Sequence, residues 1–137
     1  MNPGDIFWPA CAQVALTLAV MVRMYVVRLT EMRVRHIDPQ DIATSRAAAG
    51  RLENVVPADN FRNLFEVPVL FFAICPILYA TNSVTAPQIA LAWAFVAGRC
   101  IHSFIHVTNN RVTHRFTAFV FSALCVFAMW LIFALHF

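Results

Sequence analysis

From Val67 to Gly98 the chain carries no Asp, Glu, Lys or Arg. An uncharged stretch of that length belongs in a bilayer, and it is too long for one crossing, which takes about 20 apolar residues. Its centre, Thr81-Asn82-Ser83 with Pro87 just beyond, has turn character. Divided there, it gives two spans. Ile6 to Val27, broken in charge only by Arg23, gives another, and Phe116 to Phe137, charge-free apart from His136, gives the last. The expected fold is all-α: an integral membrane four-helix bundle. Residues 1–137 form one membrane domain, with helices at about 6–35, 59–80, 85–106 and 113–136. Pro76 inside the second span is expected to kink it, since Phe72 loses its carbonyl partner.

Composition agrees. Of the 137 residues, 61% are hydrophobic and 12% charged, against about 45–50% and 25% in soluble domains. Mean hydropathy is +0.69. The N-terminus does not read as a cleaved signal peptide, because Asp5 stands where a basic segment belongs and the apolar run is too long. Cys11, Cys75, Cys100 and Cys125 lie singly in apolar segments with no CxxC pair, so they read as small hydrophobes rather than metal or redox centres. All ten cations are arginine, which removes Schiff-base chemistry through lysine. The expected partner is the lipid bilayer; no nucleic-acid partner is expected.

The cations are unevenly placed. Arg28, Arg33, Arg35, Arg46 and Arg51 mark the end of the first span and the connection after it, Arg111 and Arg115 the connection between the last two. The middle connection has none. By the positive-inside rule both termini face away from the cytoplasm. The expected setting is multi-pass, in a bacterial inner membrane. Arg23, about five residues inside, can snorkel to the interface.

Depth then singles out a site. At 1.5 Å per residue, Glu66 lies roughly 21 Å from the outer end of the second span and Arg99 roughly 21 Å from that of the third. Opposite charges at one depth are expected to meet. Arg99, His102 and His106, at i, i+3 and i+7, share one helix face, and Arg62, Asn63 and Glu66 share one turn. One reading is helix-to-helix glue around a structural ion pair. The other is an anion site, since Arg35, Arg62, Arg99 and Arg115 outnumber Glu66 and arginine suits carboxylate. Haem ligation fails because both deep histidines lie on one helix. A small multidrug exporter would need an acid in its first span, and a transporter a polar path that the outer halves do not offer.

These residues carry a resemblance. Arg23-Met24-Tyr25-Val26-Val27, Arg35 twelve residues on, Asp38-Pro39-Gln40-Asp41, Arg62-Asn63-x-x-Glu66 and Arg99-x-x-His102 followed by Arg115 stand in one order. The chain resembles the superfamily of membrane-associated proteins in eicosanoid and glutathione metabolism (MAPEG), most of all the microsomal prostaglandin E synthase and glutathione transferase type. The resemblance implies a homotrimer with glutathione bound between subunits. It assigns Arg35 and Arg62 to the carboxylates, Asn63, Glu66 and His102 to the peptide and amino end, and Arg115 to the sulfur; Arg99 and His106 complete the floor. His106 stands where that type has a tyrosine, and Phe116 and Phe119 replace a serine and a tyrosine. Asp59 replaces an arginine. Loss of those hydroxyls disfavours prostaglandin isomerisation. What the resemblance implies is a glutathione-dependent transferase or peroxidase for lipophilic electrophiles or hydroperoxides. The alternative is a catalytically degenerate trimeric scaffold that binds lipid or a partner.

Overall fold

The computed structural model describes residues 2–136. Helices α1 (Phe7–Val34), α2 (Ser45–Arg51), α3 (Val56–Asn63), α4 (Val67–Ala80), α5 (Ala86–Val107) and α6 (Val112–His136) follow in order. Together they supply four segments long and apolar enough to cross a membrane: Pro3–Val34, Val56–Ala80, Ala86–Val107 and Val112–His136.

Local chemistry sets the ends. The Asn2 side chain accepts from the Gly4 amide while Asp5 reaches back to the Asn2 amide, a reciprocal cap ahead of α1. Thr85 caps α5 through the Gln88 amide, and Pro87 sits in the first turn, where a missing N–H costs little. Asn82 and Asn110 take φ of 52° and 46° in the turns after α4 and α5, a left-handed conformation that Asn tolerates.

The core is built around the α5–α6 hairpin. Gly98 lets α6 approach so closely that a Cβ there would lie 2.5 Å from Ser122 Oγ and 2.9 Å from Phe121 Cδ1; small residues serve this purpose in membrane helix pairs. Phe71 of α4 stacks on Phe95 of α5 at 4.4 Å between centroids, amid Ile74, Leu78, Val126 and Met129. The Trp130 indole N–H donates to the Leu70 carbonyl at 3.2 Å, tying α6 to α4. Gln13 and Gln88 are also buried in the half of the bundle away from the arginines, so that half is not wholly apolar.

Three features differ from the sequence expectation. The second span is two helices, interrupted at 64–66. Pro68 favours the break, since it cannot donate to the Leu64 carbonyl and its ring crowds that carbonyl in a continuous helix, a cost that α4 nevertheless bears at Pro76. The polar connection after α1 is also ordered. Helix α2 docks through Ala48 and Leu52, which are buried, and Glu31 accepts from the Glu53 and Asn54 amides. Arg35 Nη1 bonds Glu31 at 3.1 Å and the Arg51 carbonyl at 2.9 Å, closing the connection onto α1. Finally, the expected Glu66–Arg99 ion pair is not among those formed by the described residues.

Candidate functional site

The arginine-bearing half of α5 turns Arg99, His102, Ser103 and His106 inward, all at most 3% exposed. Burying a guanidinium demands hydrogen bonds, and the break in the second span provides one. With no residue of a continued helix to take it, the Asn63 carbonyl accepts from Arg99 Nη2 at 2.9 Å. The Arg99 guanidinium carbon also lies 5.8 Å from the centre of the Phe119 ring, within cation–π range. Its Nε and Nη1 are buried without partners among the described residues.

Arg115, one turn into α6, is anchored from behind. Its Nη1 donates to Asn110 Oδ1 at 2.7 Å and to His106 Nε2 at 3.1 Å. A guanidinium only donates, so His106 Nε2 must carry a lone pair there and the imidazole is neutral. The Arg115 carbonyl lies 3.0 Å from His102 Nδ1, which therefore carries a proton, a carbonyl being only an acceptor. No carboxylate comes within ion-pair distance of Arg115 among the described residues.

Asn63, Glu66, His102, Val112, Arg115, Phe116 and Phe119 enclose a cleft of about 220 Å³. One wall is polar and holds a single guanidinium and a single carboxylate. The other is apolar, and Phe116 in it is 64% exposed. Such a cleft can take an anionic or thiol-bearing head from one side and an apolar body from the other.

Of the residues singled out from the sequence, Asn63, Glu66, His102 and Arg115 line this cleft, while Arg99 and His106 lie behind it. Arg35 and Arg62 do not reach it within this chain. Arg35 is held by Glu31 and, at 3.5 Å, by Glu53. Arg62 points out beside Asp59, 3.8 Å away, into a separate cleft. Of the three residues expected in one helical turn, Arg62 and Asn63 stay in α3, and the break puts Glu66, exposed, in the turn after it.

Sequence reading missed Asn110 and the buried pair in which Ser103 Oγ donates to Asn60 Oδ1 at 3.2 Å, joining α5 to α3. Asn110 carries a signal in the Asn109-Asn110 turn ahead of α6; Asn60 has none without knowing which face of α3 is buried. No three His, Cys, Asp or Glu side chains among the described residues are grouped to hold a metal ion.

Among curated proteins and among solved structures, none matches the chain. The model of one family does, over residues 6–135, and this spans every element that builds the cleft. The chain belongs to the MAPEG family.

Proposed function

We propose that the protein is a glutathione-dependent membrane transferase or peroxidase acting on lipophilic electrophiles or hydroperoxides. Family membership supports the class, since MAPEG proteins are mostly glutathione-dependent enzymes. One observation carries the reading to this site. Arg115 is fixed through Nη1 alone, leaving Nε and Nη2 without bonds to the described residues, beside a cleft with an apolar wall.

A free thiol has a pKa of about 8.5, and a fixed guanidinium favours its anion, the nucleophilic form. Arg115 would hold the sulfur as thiolate, Glu66 would take the ammonium, and Asn63 and His102 the peptide. Phe116 and Phe119 would guide the acceptor from the bilayer and exclude water. At about 220 Å³ the cleft is small beside the roughly 300 Å³ or more of most ligand sites. Arg35 and Arg62 belong to this reading as carboxylate partners only if a neighbouring subunit supplies what one chain lacks. A homotrimer meets that need, and the arginine-rich end is taken to face the cytoplasm.

The test is glutathione consumption with a chlorinated aromatic or a lipid hydroperoxide, wild type against Arg115→Ala. A loss of about a hundredfold or more is expected; equal rates would remove the arginine mechanism. The second reading, a scaffold without catalysis, is favoured by Phe116, Phe119 and Asp59 standing where the related type has hydroxyls and a cation. It predicts no thermal stabilisation by millimolar glutathione, whereas a ligand bound only to the folded protein must stabilise it.

A further inference from the structure

The arginines around the α1–α3 connection fall into two kinds. Arg35 is paired with Glu31 and Glu53, and Arg51 with Asp41 at 3.6 Å. The guanidinium groups of Arg28 and Arg46 make no ion pair with any described residue. Both residues nevertheless line one cleft of about 310 Å³, between α1, α2 and α3, and Arg62 lines it with them. Against three cations the cleft holds one carboxylate, Asp59, whose 3.8 Å contact with Arg62 is open to solvent. Its lining also includes the buried Ala48 and Leu52, the residues that dock α2, so α2 is what carries Arg46 to Arg28. Gathering like charges in a concavity is unfavourable unless an anion joins them.

The surroundings say which anion. Arg28 stands six residues before the end of α1, roughly 9 Å along its axis, at a depth suited to headgroups. From Arg28 towards the N-terminus, Tyr25, Leu18 and Val14 follow at i−3, i−10 and i−14 on one face, 50%, 53% and 55% exposed. A free phosphate has no use for such a stripe; acyl chains do.

We propose that the Arg28–Arg46–Arg62 cleft binds the phosphate diester of an anionic phospholipid, whose chains lie along the Tyr25–Leu18–Val14 face of α1. Planar guanidinium forks from three separate segments match the several acceptor oxygens of a phosphate. The proposal goes beyond the glutathione reading. Arg62, which that reading also uses, is left intact in the test.

The test is native mass spectrometry of the purified full chain, released from micelles with phosphatidylglycerol, phosphatidylcholine or inorganic phosphate added. Wild type is expected to keep one phosphatidylglycerol per chain. Arg28→Gln/Arg46→Gln is expected to bind it at least tenfold more weakly, and Arg33→Gln/Arg51→Gln, an equal loss of two charges at the same end of the bundle but outside the cleft, as tightly as wild type. Equal weakening by Arg33→Gln/Arg51→Gln would mean diffuse attraction and overturn the site. Equal retention of phosphatidylcholine, or retention of inorganic phosphate instead of lipid, would overturn the assignment of the ligand. The single Arg46→Gln variant, altered at an exposed position, carries the same comparison if the double variant does not fold. Glutathione turnover in detergent should be unchanged in these variants, so a failure here and a failure of the catalytic reading remain distinct.

Discussion

Arginines cluster at one end of this bundle in two settings, and the contrast separates two uses of one residue. On α5 and α6, Arg99 and Arg115 are held by neutral dipoles: a main-chain carbonyl, an amide oxygen and an uncharged imidazole. On the α1 side, Arg35 and Arg51 are held by carboxylates in contact with solvent. The helices differ in the same sense, with 44% of the most apolar part of α5 buried against 17% for α1. A cation fixed by dipoles keeps its charge for something else to feel. A cation fixed by a carboxylate has spent it on folding the connection.

The sharpest way to break this contrast is at Arg115. Arg115→Ala should lower glutathione-dependent turnover by about 100- to 1,000-fold while costing only about 1–3 kcal/mol of stability, for the buried His106 Nε2 that loses its donor. Loss of the folded state itself would make it structural, like its α1 counterparts. Next comes Arg99. Arg99→Ala strands the Asn63 carbonyl and opens a cavity, and should cost about 3 kcal/mol in chemical denaturation. Arg99→Met fills the space without a charge and should cost well under half of that; equal costs would mean that the charge itself holds the fold.

Gly98→Ala drives a methyl group into Ser122 and Phe121 and should destabilise by about 1–3 kcal/mol. Adding Ser122→Gly removes the nearest clash and should restore part of the loss. The smallest effect belongs to the solvent-facing set. Asp41→Asn, which releases Arg51, should not measurably shift the thermal midpoint, as exposed ion pairs contribute little. A clear shift would place the connection among the cooperative parts of the fold.

The spans were legible because apolar length and arginine depth are one-dimensional properties. Counting along the second and third spans brings Glu66 and Arg99 to one level, and the structure does bring Asn63 to Arg99. What counting along an ideal helix missed is the interruption at 64–66, although Pro68 announces it once its clash with Leu64 is considered. The break turns a side-chain ion pair into a main-chain bond. Helix α2 was hidden for another reason: seven residues are too few for even an alanine-rich helix to hold by itself. Its existence depends on Ala48 and Leu52 finding distant partners. The anchoring of Arg115 by His106 and Asn110 joins residues across a turn whose geometry no spacing rule encodes.

The wall of Phe116 and Phe119 beside a guanidinium with no carboxylate partner among the described residues decides what will foul this cleft. A soap has the same two halves, a carboxylate head and a long greasy tail, and needs no sulfur to match them. Under the proposed function, free fatty acids should therefore act as competitive blockers of glutathione turnover, which rates measured with and without them would check.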